Sequence, residues 1–399
     1  MKHIPKIFDY TLYGLLIALP FSKALPNIFL ALLVVLLLLR YKEFKHTKVA
    51  GPVFFIYGSL VLYLSLKAVI NTTFLEDFKL YEKHFIVLAL LIILSFYKEN
   101  IAKIKYSIII SVSLAAYISI GRLILYCIEI GSFSFANGND INSILLLERP
   151  YMGFFLLVNI ILLAECYNSL KKYRAAIIAN IGIMCLFLIV LSARLSFATL
   201  VLLIFVYIFF YLKMKAVKKA ALLAGVAAIC VTAIALNRNF IERLFIKEDL
   251  EKTIEFAQKA EPRVLIWGCA YTISQDDFNI LTGEKGYKIL ENKLVACYAD
   301  NITNDDEKKQ YYIDSKFNTH NTFLDFFMVG GLIALFLFCA FMLYSCLAAV
   351  KNFYTMALAI SLILFLFFEN LFHRQLGCYI FSIFVFIVNY RKIETSLSK

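Results

Sequence analysis

One histidine stands where a long polar segment meets an apolar run. His320 and Asn321 directly precede the run that begins at Thr322. An imidazole can be neutral near pH 7 and accept a proton from an alcohol, and nearby arginines would favour the neutral form by charge repulsion. His320 is therefore the candidate general base, and an interfacial histidine that only makes hydrogen bonds is the structural alternative. His373 and His84 rank below it as competing bases.

Four arginines lie inside or at the edges of apolar runs, where charges are costly and are therefore functional candidates. Arg194 lies in a short turn between two runs, Arg149 opens a run, Arg263 follows Pro262 at a helix start, and Arg122 lies within a run. Guanidinium groups bind phosphate oxygens with paired hydrogen bonds and stay charged. The set predicts a pyrophosphate site, although any single arginine could instead be a snorkelling or internally paired charge.

Composition indicates the environment of these residues. The chain has 399 residues, of which 62% are hydrophobic and 17% charged. A water-facing surface needs more charge than this, so a soluble enzyme, a disordered scaffold and a secreted disulfide module are excluded. The net charge of +12 is spread in small groups and forms no stripe, which argues against nucleic acid as a partner.

The apolar runs have the length of membrane-spanning helices, about 20 residues, and do not alternate as barrel strands do. They predict an all-α, polytopic membrane bundle of twelve spans with one large loop containing amphipathic helices. The spans are Ile7–Phe21, Leu25–Leu39, Pro52–Ile70, Phe85–Tyr97, Tyr106–Ile130, Pro150–Cys166, Ala175–Leu191, Ser196–Leu212, Val217–Leu236, Thr322–Cys346, Tyr354–Phe372 and Leu376–Tyr390.

Most Lys and Arg of the short loops fall in one alternating set of loops, which includes both ends of the chain. Such loops accumulate on the cytoplasmic side, so both termini are expected in the cytoplasm. The chain then divides into spans one to nine (residues 1–236), a large loop on the opposite side (237–319), and spans ten to twelve with a cytoplasmic tail (320–399). We expect the chemistry on the side of the large loop.

Within the large loop, the sequence predicts a surface-lying amphipathic segment and one further helix, followed by turns. The segments are Phe240–Lys259, Arg263–Ile273, and then the turns at Gly283, Gly286 and Asn301–Glu307. Cys269 and Cys297 also lie in this loop, and they could pair in an oxidising periplasm. No spacing of Cys and His resembles a metal site.

Several of these features together resemble the O-antigen ligase and polymerase family of Gram-negative bacteria. The residues that carry the resemblance are Arg194, Arg263, Trp267, His320, Asn321, Gly330 and Gly331, together with the span order and the single large loop. Membership implies a multi-pass enzyme of the bacterial inner membrane with a periplasmic active face. It also implies metal-independent, inverting transfer of a glycan from undecaprenyl pyrophosphate to lipid A-core, with no cofactor.

Carried over by position, the resemblance makes His320 the base and Arg194 and Arg263 the pyrophosphate ligands. Glu369 and Arg374 match an acidic residue and an arginine of the family's last spans only loosely, and some relatives carry a histidine where this chain has Arg149. The full predicted set of substrate-binding residues is Arg194, Arg263, Arg149, Arg122, Asn321, Trp267, Glu369 and Arg374.

Four alternatives stay open from the sequence. An O-antigen polymerase or a protein O-oligosaccharyltransferase would use the same donor with another acceptor. A lipid-linked glycan transporter would place charges through the depth of the membrane, whereas here all candidates but Arg122 cluster at one face. A metal-dependent lipid-sugar transferase could use Glu76 and Asp77 as ligands, although an ordinary acidic outer loop explains that pair better.

Overall fold

The computed structural model describes residues 4–40, 51–131, 138–236, 261–303, 305–350 and 352–397. These described residues form helices and no strands, which confirms the predicted all-α fold class. Their helices are α1 (Ile4–Ala18), α2 (Leu25–Leu39), α3 (Gly51–Ile70), α4 (Phe78–Ser95), α5 (Ile101–Ile130), α6 (Gly138–Ile144), α7 (Arg149–Cys166), α8 (Arg174–Val190), α9 (Arg194–Val206), α10 (Ala216–Leu236), α11 (Pro262–Gln275), α12 (Tyr287–Asn301), α13 (Asp306–Ser315), α14 (Thr322–Ala349), α15 (Phe353–Phe368) and α16 (Gln375–Leu397).

Each of the twelve predicted spans overlaps one helix of this series, although Tyr354–Phe372 runs past the end of α15 and Ser196–Leu212 past the end of α9. Among the described residues, six helical stretches are long and apolar enough to cross a bilayer, namely Gly51–Ile70, Ile101–Ile130, Arg149–Cys166, Lys171–Val190, Arg194–Tyr211 and Thr322–Ala349. Shorter apolar helices cover Leu25–Leu39, Phe353–Phe368 and Gln375–Tyr390. The chain is therefore a polytopic helical membrane protein, and the number of twelve crossings stays a prediction.

The large loop is more helical than the sequence predicts. The predicted helix Arg263–Ile273 is confirmed as part of α11, whereas α12 and α13 were not predicted, because charged and apolar residues alternate there without a clear amphipathic period. The acidic segment Asn301–Glu307, expected as loop, contains the first residues of α13. The predicted segment Phe240–Lys259 lies outside the described residues.

Contacts divide the chain into two units. The first unit is Met1–Arg40, Lys98–Lys247 and Val350–Ser361, and the second is Tyr41–Tyr97, Glu248–Ala349 and Leu362–Lys399. The core of the first unit lies between α5, α6, α7, α8 and α9 and includes Met152, Leu156, Met184 and Leu188. The core of the second unit is aromatic and includes Tyr57, Phe326, Phe338, Phe372 and Phe381.

Helix α14 is interrupted at Gly331, where the backbone has φ +64° and ψ −162°. Backbone groups of α14 near the interruption form hydrogen bonds with the large loop instead. The Leu332 N–H donates to Ile280 O (2.9 Å), and Met328 O accepts the Glu284 N–H (2.8 Å). A Cβ at Gly331 would lie 2.2 Å from Leu281 O, so only glycine fits. The interruption thus anchors the loop on the helix that follows His320.

A second anchor joins the loop to the turn between α3 and α4. The two carboxylate oxygens of Asp77 accept the backbone N–H groups of Tyr287 (2.9 Å) and Lys288 (2.8 Å), at the first turn of α12. A carboxylate at a helix N-terminus satisfies otherwise unpaired amides. The contact gives Asp77, one of the two candidate metal ligands, a structural role.

Candidate functional site

His320 lies in the turn between α13 and α14, with a left-handed backbone (φ +45°). The turn is held locally, because the Asn318 side chain accepts the His320 N–H (2.9 Å). The Asn321 side chain accepts the N–H of Leu324 (3.0 Å) and so caps α14. Asn321, predicted as a substrate ligand, therefore uses its carbonyl oxygen to start the helix that carries the turn.

The His320 side chain is 20% exposed, and its Nδ1 lies 3.6 Å from Glu369 Oε2. This distance is longer than a hydrogen bond, so the interaction is electrostatic in this state. A carboxylate on this side favours the tautomer with a proton on Nδ1, which leaves the Nε2 lone pair free. The sequence predicted arginines as the neighbouring charges; the structure places a carboxylate there, because the chain after α15 brings Glu369 to the turn.

Arg263 contacts the same carboxylate from the N-terminus of α11. Its Nη2 donates to Glu369 Oε1 (2.9 Å), its Nη1 to Glu261 Oε1 (2.8 Å) and its Nε to the carbonyl of Phe368 (3.1 Å). A guanidinium has five N–H groups, so about two remain for a ligand. Pro262 opens α11, where its fixed φ suits the first helical position.

Glu369 is buried, and both of its oxygens face cationic or ionisable groups. It therefore connects Arg263 with His320 within the second unit. The predicted role of Glu369 as a substrate ligand is not tested directly, but a buried carboxylate with two partners has the surroundings of a positioning group.

Arg374, the predicted companion of Glu369, is exposed and lies immediately before α16, where its carbonyl accepts the N–H of Cys378 (3.2 Å).

Trp267 lies one turn after Arg263 on α11. Its indole Nε1 donates to the carbonyl of Thr319 (2.9 Å), the residue directly before His320. The ring also packs against Phe368, with 6.3 Å between centroids. Trp267 thus fixes the backbone of the turn. Helix α11 therefore positions both the Arg263 guanidinium and the peptide before His320.

The structure reveals a second histidine–carboxylate pair that sequence reasoning missed. Asp325, in the first turn of α14, is buried, and its Oδ2 lies 3.1 Å from His373 Nε2. Its Oδ1 accepts the Thr319 hydroxyl (3.1 Å). Asp325 was hidden in the apolar span that begins at Thr322; a carboxylate just inside a span was the signal that could have found it.

His84, the other lower-ranked base, is buried in the aromatic core. Its Nδ1 lies 2.8 Å from the hydroxyl of Tyr57 and its Nε2 lies 3.3 Å from that of Tyr287. Its ring stacks on Phe372 at 5.0 Å between centroids. Burial raises the pKa of the Tyr287 phenol, so this hydroxyl stays protonated. Both ring nitrogens of His84 are engaged, which is the arrangement of a structural histidine.

In the first unit, Arg122, Arg149 and Arg194 lie at one end. Arg149 and Arg194 are the first residues of α7 and α9, and these helices approach closely, since a Cβ at Gly153 would lie 2.7 Å from Ala193 Cβ. Gly153 lies one turn after Arg149, on the same side of α7.

Arg122 reaches the same end from α5. Its Nη2 lies 3.4 Å from Ser143 O, next to Asn142, whose side chain accepts the Arg149 N–H (2.9 Å). Arg149 Nη1 is buried and has no hydrogen-bond partner among the described residues. A buried charged donor of this kind is a candidate for binding an anion.

The structure joins Cys269 of α11 to Cys297 of α12 in a disulfide, with a Cα–Cα distance of 5.8 Å. The sequence had left this pairing open. Asn301 Nδ2 donates to the Cys297 carbonyl (2.9 Å) on the same face of α12. The bond connects the helix that bears Arg263 and Trp267 to the helix held by Asp77.

Fold and site together define a polytopic helical membrane protein. Its first unit carries three arginines at one end, and its second unit carries an arginine connected to a histidine through a carboxylate. A comparison with family models matches residues 179–339 to the O-antigen ligase family. The chain thus carries the domain of this family, whose members are glycosyltransferase-like ligases or polymerases, and the resemblance seen in the sequence is confirmed. The match begins within α8 and ends within α14, and it includes Arg194, Arg263 and His320. A comparison with curated proteins finds no match.

Proposed function

We propose that this protein is an O-antigen ligase of the bacterial inner membrane. In this proposal it moves a glycan from undecaprenyl pyrophosphate to lipid A-core on the periplasmic side. The observation that carries it is the contact of one buried carboxylate, Glu369, with both Arg263 and His320. A cation for phosphate oxygens and a base for an acceptor hydroxyl are the two groups that glycosyl transfer from a lipid pyrophosphate requires.

In the proposed step, Nε2 of neutral His320 takes the proton of an acceptor sugar hydroxyl. The hydroxyl oxygen forms a bond to the anomeric carbon of the donor, and the bond from that carbon to the pyrophosphate oxygen breaks. Undecaprenyl pyrophosphate leaves with the bonding electron pair, and the imidazolium then releases its proton to solvent. Displacement in one step inverts the anomeric carbon.

Glu369 is proposed as the positioning residue of this base. A carboxylate facing Nδ1–H orients the imidazole and stabilises the imidazolium that forms during proton transfer. The 3.6 Å separation would shorten when the acceptor is bound, since catalytic hydrogen bonds tighten in the substrate complex. The role of a substrate ligand, expected from the sequence, stays a prediction beside this one.

The arginines are proposed as ligands of the pyrophosphate. Arg263 keeps about two N–H groups for phosphate oxygens while it holds Glu369. In the first unit, the unpartnered Nη1 of Arg149 supports an anion at the end that also carries Arg194 and Arg122. Replacing Arg194 or Arg263 by Lys keeps the charge and removes the fork, so donor affinity should fall. Unchanged donor affinity in both variants would remove the arginines from this role.

Two observations support the periplasmic side for the large loop. Disulfides persist in the periplasm and are rare in the cytosol, which agrees with the Cys269–Cys297 bond. The basic residues of the short loops also favour cytoplasmic termini and an outward-facing large loop.

The acceptor separates this proposal from its alternatives. A polymerase would use a second lipid-linked glycan, and a protein O-oligosaccharyltransferase would use a protein hydroxyl, in each case with the same donor. The family match supports an enzyme over a lipid-linked glycan transporter. We favour lipid A-core because the chain has one dominant outer loop.

The test is deletion of the gene in its own bacterium, followed by complementation and gel analysis of the lipopolysaccharide. Complementation with the wild-type chain or with the exposed-site control Glu307→Ala should restore the ladder, whereas His320→Ala should leave lipid-linked polymer accumulated and core uncapped. Core with one repeat unit would indicate a polymerase. An unchanged ladder after deletion would refute the proposed function.

A further inference from the structure

Two histidine–carboxylate contacts join the start of α14 to the segment between α15 and α16. His320, before α14, lies 3.6 Å from Glu369, after α15, and Asp325, inside α14, lies 3.1 Å from His373, also after α15. The Thr322 hydroxyl adds a third contact by donating to the Glu369 carbonyl (2.9 Å). The separation between His320 and Glu369 therefore depends on how the other contacts hold the two segments.

The backbone at His320 needs such support. A non-glycine residue with φ +45° is held in a conformation that L side chains rarely adopt, and surrounding contacts must maintain it. Thr319, directly before it, is fully buried. Its carbonyl is fixed by Trp267, and its hydroxyl lies 3.1 Å from Asp325 Oδ1 and 3.1 Å from the Asn321 carbonyl. One hydroxyl hydrogen serves one acceptor at a time, and the carboxylate is the stronger acceptor.

Asp325 is itself fixed from the other side. Its second oxygen faces His373 Nε2, and His373 is held in turn by its neighbours. The His373 ring meets the Tyr287 ring edge-on at 5.9 Å between centroids, and its carbonyl accepts Lys83 Nζ (2.9 Å). A continuous series of contacts thus runs from α4 and α12 through His373 and Asp325 to Thr319.

We propose that Thr319, Asp325 and His373 are positioning residues that set the imidazole of His320 against Glu369. This inference rests on the proposed function, in which His320 is the base. The Asp325–His373 pair holds Thr319 through its hydroxyl, and Thr319 fixes the peptide that turns His320 towards Glu369. His373 acts through Asp325 and does not take the acceptor proton.

The test uses the full-length protein in detergent or nanodiscs, with a synthetic oligosaccharide on undecaprenyl pyrophosphate as donor and lipid A-core without O-antigen as acceptor. Thr319→Val removes the hydroxyl at nearly constant shape, and Thr319→Ser keeps it. We expect Thr319→Val, and Asp325→Leu, which removes both carboxylate oxygens, to lower kcat on the order of 10²-fold, the effect of a misplaced catalytic group, with the KM for donor unchanged. Thr319→Ser and His373→Gln, which retain the hydrogen-bonding groups, should keep kcat within about tenfold of wild type.

A second expectation is non-additivity. The double variant Thr319→Val with Asp325→Leu should be no slower than the slower single variant, because both changes remove the hydrogen bond between the Thr319 hydroxyl and Asp325 Oδ1. If Asp325→Leu fails to fold, the Val and Ser variants at position 319 still decide the matter, since they differ only in small groups of one side chain.

Three results are distinguishable. Wild-type kcat in Thr319→Val, together with an inactive His320→Ala, would overturn the positioning role and leave the proposed function standing. Inactive His373→Gln and His373→Ala, together with active Thr319→Val, would overturn it by making His373 the base. Full activity in His320→Ala would instead refute the proposed function.

Discussion

Glu369 serves two partners with one carboxylate, Arg263 through Oε1 and His320 through Oε2. Beside its proposed role as a phosphate ligand, Arg263 therefore also holds the Glu369 carboxylate in place next to the imidazole. The same guanidinium is held by Glu261 and by the Phe368 carbonyl. Several contacts that hold one guanidinium and one buried carboxylate in place are typical of a preorganised site.

Replacing Glu369 by Gln should slow transfer sharply. The amide keeps the size of the side chain but removes the charge that orients His320 and stabilises its protonated form, so we expect a loss on the order of 10²- to 10⁴-fold in kcat. The measurement is the initial rate of glycan transfer by the purified variant, with Glu291→Gln on α12 as the matched control. A rate equal to that of wild type would show that Glu369 has no part in the reaction.

Sequence reasoning found the residue types of the site but not their pairing. His320, Arg263 and Trp267 stand out by their positions at helix starts or at the edge of a span. The contacts of Glu369 and of Asp325 join positions far apart along the chain, and no local spacing encodes such contacts. The roles of Asn321 as a cap and of Trp267 as a support for Thr319 likewise emerge only from tertiary structure.

At the scale of elements, the interruption of α14 depends on one glycine. Gly331→Ala should destabilise the protein by at least about 1–3 kcal/mol from backbone strain alone, and the contact with Leu281 O adds to this. Gly268→Ala in α11 is the control, because a Cβ there meets nothing within 4 Å and alanine favours a helix by about 0.8–1.0 kcal/mol. Thermal unfolding in detergent measures both, and equal midpoints for the two variants would contradict the assigned strain.

The disulfide between α11 and α12 should contribute to stability and to activity. Its cysteines are 28 residues apart, and a closed loop of this length contributes about 3.5 kcal/mol in the chain-entropy model. Cys269→Ser with Cys297→Ser should lower the unfolding midpoint and, by loosening α11, the transfer rate. Cys339→Ser, at an exposed free cysteine, should change neither quantity. A double variant as stable and as active as wild type would show that the bond is dispensable.

The apolar runs predicted helices well because a spanning segment must be long and uniformly apolar. Boundaries were predicted less well: α4 begins at Phe78, before the predicted Phe85, because its first two turns are polar. Helices α12 and α13 were missed for a related reason. Their stability comes from the Asp77 cap, the disulfide and the packing of Tyr298 against Tyr312, at 5.5 Å between centroids, none of which a hydropathy pattern reveals.

At the scale of the whole molecule, the proposed orientation predicts which loops are accessible from outside. In a variant whose free cysteines are replaced, a cysteine introduced as Lys308→Cys in α13 should react with a membrane-impermeant maleimide in intact spheroplasts. A cysteine introduced as Lys171→Cys, between α7 and α8, should react only after permeabilisation. The opposite pattern would invert the topology and place the His320 site in the cytoplasm.

The class of the protein was predictable from composition and run length, since few soluble folds accommodate 62% hydrophobic residues. The family followed from a few polar residues in order along the chain, and the match over residues 179–339 agrees with that prediction. The acceptor was not predictable, because ligases, polymerases and protein glycosylating enzymes share the donor and its chemistry.

The most direct measurement of the central claim is transfer by purified His320→Ala protein from a glycan on undecaprenyl pyrophosphate to lipid A-core, beside wild type prepared in the same way. We predict that wild type forms the glycosylated lipid, and that the variant, folded to the same unfolding midpoint, is slower by on the order of 10²- to 10⁴-fold. Equal rates for the two proteins would contradict the claim that the imidazole facing Glu369 is the base.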